Sequence, residues 1–137
     1  WVDQNFPTLP QAAARAIIGA SFGGLISAHA ARRRPNLFGL GAAQSGTFGY
    51  QNDALIRDYA AAQNLGIRFH LVVGEFETDL HGDGRADSNL VAAQRRFVTL
   101  LHDKGYALAC AEYPEGHQWG FWRAHIGDAL KFFWGNA

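Results

Sequence analysis

Short, nearly unbroken apolar runs alternate along the chain with longer segments in which apolar residues recur every three or four positions. The runs are Arg15 to Gly19, Leu37 to Ala43, Ile67 to Val73 and Tyr106 to Tyr113. They are strand-length, and their continuous hydrophobicity suits strands covered on both faces of a parallel sheet. The periodic segments predict four helices. Phe22 to about Arg33 carries small residues, Gly24, Ala28, Ala30 and Ala31, that allow close packing on a sheet; Arg32, Arg33 and Arg34 suit its negative dipole end, and Pro35 stops it. The second helix, capped by Asn52 or Asp53, carries Leu55, Ile56 and Tyr59 and ends near Gly66. Ser88 is the predicted cap of the third, which repeats Leu90, Val91, Phe97, Val98 and Leu101 before Gly105 closes it. The fourth is expected to bury Trp122, Ile126, Leu130 and Phe133. Strands alternating with helices predict an α/β fold, a parallel sheet flanked by helices, in a single domain over residues 1–137. Trp1 to Gln11, with two prolines and no period, reads as a loop or as the frayed end of an element that began earlier.

With 48% apolar residues the chain can bury a core. Twelve basic and twelve acidic residues cancel, so no net field favours nucleic acid, acidic lipid or a polyanion, and a small-molecule partner is expected. The single cysteine, Cys110, cannot form an internal disulfide, and its apolar surroundings predict core packing. No signal-like or membrane-spanning stretch is legible, which points to a cytoplasmic location. The absence of methionine even at position 1 implies that the chain is not a complete primary translation product.

The chemistry is concentrated first at Gly19-Ala20-Ser21-Phe22-Gly23-Gly24. A buried strand ending in a turn this rich in small residues delivers a serine hydroxyl above the sheet edge, as in a nucleophile elbow, with Gly19 and Gly23 small to permit the turn. The helix beginning at Phe22 aims its N-terminal N–H groups where an oxyanion forms, so the Phe22 N–H is the expected donor. The plainer reading is a glycine-rich turn with a solvated serine. No phosphate-loop lysine or third spaced glycine follows, which removes the nucleotide-binding readings. A serine nucleophile requires a base, and the base an orienting acid. His29, His70, His102 and His125 lie inside regular elements and read as structural or surface residues; His81 lies in an acidic loop. His117 follows a strand, in a glycine-flanked loop late in the chain, which fits the order serine, acid, histidine. The acid lies in the polar loop from Gly74 to Asp87, where Glu75, Glu77, Asp79, Asp83 and Asp87 compete. The need for a fixed backbone at a strand exit favours the start of that loop. Asp79, His81 and Asp83 alternate as in a calcium loop, but His81 and Leu90 stand where an EF-hand requires Asp or Asn and Glu, so no metal is expected.

Taken together, these motifs resemble the C-terminal part of esterases of the enterochelin esterase type, within the esterase-D and antigen-85-like group of α/β-hydrolases. The likeness is carried by the elbow, by Leu37-Phe38-Gly39 with Gln44-Ser45-Gly46, by Gly74-Glu75-Phe76-Glu77, and by Glu115-Gly116-His117 with Trp122-Arg123, and it runs over residues 14 to 134. Two departures are Glu115 in place of the first glycine before the histidine and a longer acidic loop. The resemblance implies an α/β-hydrolase-like sheet whose N-terminal strands are absent from this chain and are supplied by a missing N-terminal segment. It implies hydrolysis of carboxylic esters through an acyl-enzyme, without a cofactor, on siderophore trilactones or on feruloyl, acetyl or formyl-thiol esters. It places the acid at Glu77, giving the set Ser21, Glu77 and His117. Trp119 and Trp122 are then candidates to stack on an aromatic substrate and Arg123 to face an anionic catechol, although Trp122 is equally in register with the core. A catalytically silent hydrolase-like module serving in binding or assembly is the competing expectation.

Overall fold

A computed structural model describes residues 1–135. The strands β1 (Ala16–Ala20), β2 (Leu40–Gln44), β3 (Arg68–Gly74) and β4 (Ala107–Tyr113) form one parallel sheet in the order β1-β2-β3-β4. The helices are a short α1 (Val2–Asn5), then α2 (Phe22–Arg33), α3 (Tyr50–Ala61), α4 (Leu90–Asp103) and α5 (Trp119–Trp134). Each strand pairs with its sequence neighbour. Ala20 therefore stands opposite Gln44, Gln44 opposite Val72, and Gly74 opposite Tyr113, which brings the four C-terminal strand ends to one edge.

Side chains alternate across the sheet, and the two faces build separate cores. On one face Phe69 and Leu71 meet Leu25, Ala28 and Ala31 of α2, Leu55 and Tyr59 of α3, and Phe97 and Leu101 of α4. Tyr59, Phe69 and Phe97 pack ring against ring at 5.1 to 6.0 Å, and the Tyr59 hydroxyl donates to the Ala28 carbonyl at 2.8 Å, tying α3 to α2. On the other face α5 covers Leu40 and Ala42 with Ala129 and Phe133, and Val72 with Phe121 and Trp122.

Several boundaries differ from expectation for local reasons. The first eleven residues hold one helical turn, Val2–Asn5, and are otherwise irregular. β2 begins at Leu40 because residues 37–39 complete a turn: the Leu37 N–H and the Phe38 N–H both donate to the Arg34 carbonyl, while the Gly39 N–H reaches the Ala12 carbonyl. Neither Asn52 nor Asp53 caps α3. Both lie with Gln51 in a left-handed stretch, φ 51 to 59°, and the Asp53 carboxylate takes both ends of the Arg96 guanidinium at 2.7 Å instead. The cap of α4 is Asn89, whose side chain accepts the Ala92 N–H at 2.8 Å; Ser88 closes a preceding 3-10 turn and binds Asp83. On α5 the buried stripe is Phe121, Trp122, Ala129 and Phe133, whereas Ile126 and Leu130 are 41% and 44% exposed. Cys110 is exposed rather than packed in the core, because β4 is an edge strand and only partly covered.

Candidate active site

The strand ends that share one edge each deliver a residue to one place. After β1 the chain turns at Ser21 with φ 56° and ψ −125°, a strained conformation for a residue with a side chain. That turn is held by the Ser21 N–H on the Gln44 carbonyl at 2.9 Å and by the Gly24 and Leu25 N–H groups on the Ser21 carbonyl. Gly19 is obligatory here, since a Cβ on it would lie 2.3 Å from the Gly23 carbonyl oxygen. Gly23 is not: a Cβ there meets nothing within 4 Å, contrary to the expectation that both flanking positions must be small. Phe22 opens α2, so its N–H belongs to the first turn, which lacks intrahelical acceptors.

After β3 and β4 the two loops are stitched together. The Glu75 N–H donates to the Tyr113 carbonyl, the Phe76 N–H to the Glu115 carbonyl, and the Glu77 N–H back to Gly74. A side chain on Gly74 would lie 2.2 Å from the Glu115 carbonyl oxygen, so the close approach of the loops depends on that glycine. The approach sets Glu77, 2% exposed, beside His117, with Oε2 2.9 Å from Nδ1. The other ring nitrogen, Nε2, lies 3.0 Å from Ser21 Oγ. Glu75 is exposed, and the remaining acids of the loop fold it. Asp79 accepts the Asp83 and Gly84 N–H groups, and Asp87 pairs with Arg85. Asp83 accepts the Ser88 hydroxyl and the Arg85 N–H, which hold its carboxyl below the ordinary carboxylate range.

The end of β2 contributes a residue whose role is not legible in the sequence. Ser45 is fully buried, with φ 52°, and its hydroxyl lies 2.7 Å from Glu77 Oε1 and 2.9 Å from Trp122 Nε1. The Gly74 N–H also donates to Glu77 Oε1, at 3.0 Å, and the Gln44 side chain holds the Trp122 carbonyl at 2.7 Å. The Trp122 ring stands edge-on to His117, 5.0 Å between centroids, so this tryptophan is a core residue that also walls the site. The signal for it is indirect: a buried indole N–H requires an acceptor, and Ser45 stands in a loop at the same sheet edge.

Beside Ser21 and His117 opens a cleft of about 420 Å³, lined also by Phe22, Thr47, Tyr50, Leu80, His81 and Asp87. Phe22 and Tyr50 meet edge to face at 5.2 Å. Trp119 is exposed, edge-on to Trp122 at 5.1 Å, and Arg123 is exposed on α5; neither lines this cleft. His29 and His102 are exposed, His70 is buried within β3, and His125 stacks on Tyr113.

A parallel sheet flanked by helices, with a serine on a strand-to-helix turn at its C-terminal edge, is the architecture of an α/β-hydrolase. The chain belongs to the Esterase family, whose model matches residues 1–133. An enterochelin esterase from Shigella flexneri has a similar fold, with a TM-score of 0.80 and 24% identity over 93% of this chain. A ferulic acid esterase gives 0.76 at 15% identity over 96%, and a siderophore hydrolase from Aspergillus nidulans 0.70 at 19% over 86%. The chain spans 32%, 55% and 47% of those three structures' own lengths. No curated protein matches the sequence. Among the described residues no helix is long and apolar enough to cross a membrane.

Proposed function

We propose that this chain carries the reacting residues of a serine carboxylic-ester hydrolase that works through an acyl-enzyme. The observation that carries the reading is the unbroken line from Ser21 Oγ through the His117 ring to Glu77 Oε2, with both hydrogen-bond distances at or below 3.0 Å. Ser21 Oγ–H donates to His117 Nε2, which takes the proton as the oxygen attacks the ester carbonyl. Glu77 accepts the Nδ1–H and stabilises the imidazolium so formed. The Phe22 N–H, at the positive end of α2, receives the developing oxyanion. His117 then protonates the leaving alkoxide, the acyl group stays on Ser21, and a water activated by the same imidazole releases it. No step requires a cofactor.

β1 is apolar yet only half buried, at the sheet edge. We read that edge as the seat of further strands from elsewhere in the protein, which also bring the second oxyanion donor. For the substrate, the exposed aromatic surfaces of Phe22 and Tyr50, which line the cleft, suit an ester with an aromatic part. Together with the similar fold of an enterochelin esterase and a siderophore hydrolase, this favours an enterobactin-type trilactone. The runner-up is a feruloyl or acetyl ester, favoured by the similar fold of a ferulic acid esterase. Neither Trp119 nor Arg123 lines the cleft, so the reading leans on Phe22 and Tyr50.

A fluorophosphonate probe tests the reaction class, and labelling of Ser21 that is lost in Ser21→Ala and His117→Ala is the expected result. Absence of labelling in the full-length protein would leave a silent hydrolase-like module as the better reading. Turnover of a trilactone against feruloyl and acetyl esters then decides the substrate class.

A further inference from the structure

Ser45 occupies a position where a serine is conformationally costly. Its φ of 52° lies in the left-handed region that favours glycine, and its N–H is pinned to the Val72 carbonyl at 2.7 Å. What the serine adds is a hydroxyl between two buried groups, 2.9 Å from Trp122 Nε1 and 2.7 Å from Glu77 Oε1. The direction of these hydrogen bonds follows from the chemistry of the partners. An indole N–H only donates, so Ser45 Oγ accepts from Trp122. The single hydroxyl proton is then free to point at Glu77 Oε1, which accepts a second bond from the Gly74 N–H at 3.0 Å. With Oε1 occupied by two donors, Oε2 is the oxygen turned to His117, 2.9 Å from Nδ1. An ionised carboxylate only accepts, which puts the imidazole proton on Nδ1 and leaves Nε2 bare toward Ser21 Oγ.

We infer that Ser45 and Trp122 are positioning residues that fix the tautomer of His117 through Glu77, with the Trp122 indole N–H setting the polarity of the whole line. Each of the four strands thus contributes one member at its C-terminal end: Ser21 after β1, Ser45 after β2, Glu77 after β3 and His117 after β4. The inference rests on the reading of Ser21, His117 and Glu77 as the reacting set. It also explains why a residue strained at φ 52° is not glycine. A backbone role alone would be served better by glycine, whereas a hydroxyl role forbids it.

The test separates those roles in the full-length protein. Ser45→Ala removes the hydroxyl and keeps the strain, Ser45→Gly removes both, and Trp122→Phe keeps a ring against His117 but has no N–H. Steady-state turnover of an ester the wild type accepts is measured together with nitrogen NMR of the His117 ring at neutral pH. Both Ser45 variants should lose about 10- to 100-fold in kcat with KM unchanged, the scale of one hydrogen bond to a charged group. Their His117 signal should shift toward a mixture of tautomers. Trp122→Phe should move both readouts the same way by less, and adding it to Ser45→Ala should cause no further loss, since the two act in one line. Wild-type kcat and tautomer in Ser45→Ala, recovery of wild-type kcat in Ser45→Gly, or multiplicative losses in the double variant would each overturn the inference. If the Ser45 variants do not fold, Trp122→Phe with an unchanged His117 tautomer overturns it. The NMR readout needs no turnover, so failure of the esterase reading, seen as retained activity in Ser21→Ala, stays distinguishable.

Discussion

The two glycines that flank Ser21 should respond oppositely to the same substitution. In Gly19→Ala the new Cβ lies 2.3 Å from the Gly23 carbonyl oxygen, 2.4 Å from its carbonyl carbon and 2.9 Å from Ser27 Oγ. The serine can rotate away; the Gly23 carbonyl is part of the first turn of α2 and cannot. A carbon to carbonyl-oxygen contact settles at about 3.3 Å, so the start of α2 must retreat by about 1 Å, taking Ser21 and the Phe22 N–H with it. Overpacking of this kind costs about 1–3 kcal/mol, and a rigid backbone obstacle places Gly19→Ala near the upper end. A displacement of about 1 Å in a reacting group costs about 10²-fold in rate. Gly23 is exposed with open space around its Cα, so Gly23→Ala should gain about 0.5–1 kcal/mol from the helix preference for alanine. Urea unfolding of both variants, with the rate of fluorophosphonate labelling at Ser21, measures the two effects separately. Gly19→Ala with wild-type stability and labelling, or Gly23→Ala as damaging as Gly19→Ala, would refute the steric account of the elbow.

The loop acids and the helix cap offer sharper contrasts. Glu77→Gln should lower ester turnover by about 10⁴, the cost of a mis-oriented imidazole, while Asp79→Asn and Asp83→Asn stay near wild type; the reverse pattern would move the orienting acid into the loop. Asn89→Ala should cost about 1 kcal/mol in urea unfolding, and unchanged stability in Asn89→Ala would remove Asn89 as the cap. Burial holds the His70 imidazole below its ordinary range, against a smaller upward pull from Asp128 and with a further downward push from His125. The unfolded chain therefore binds a proton on His70 that the folded chain resists, so stability is full above about pH 6.5 and declines as the pH falls below it. His70→Leu should flatten that decline in unfolding measured from pH 7.5 to 5, and an unchanged slope would assign it to other groups.

How much of this was legible depends on whether the signal was local. Ser21, His117 and the strands that present them follow from apolar runs ending in glycine-rich turns, and those turns are encoded within a few residues. Glu77 needed the family pattern, because five acids share one loop and only the approach of Gly74 to Glu115, a contact between loops, picks one out. The α4 cap lies one residue later than expected: Asn89 accepts the Ala92 N–H, while Ser88 donates its hydroxyl to Asp83, five positions back. Cys110 is exposed against expectation because β4 has an apolar sequence and an edge position, and strand order is not written in composition.

On α5, periodicity and structure part. Trp122, Ile126, Leu130 and Phe133 fit a helical stripe equally well on either side of Phe133, and periodicity alone cannot say which side meets the sheet. In the fold the Trp122 carbonyl is held by Gln44 and its N–H by Ser45, and Phe121 and Ala129 turn inward while Ile126 and Leu130 turn outward. The same orientation of α5, sixteen residues long, sets the Trp122 ring against His117. The packing of α5 and the geometry of the site meet at Trp122, so a substitution on the buried face of α5 that displaces Trp122 is expected to reach Glu77 through Ser45 and His117 directly.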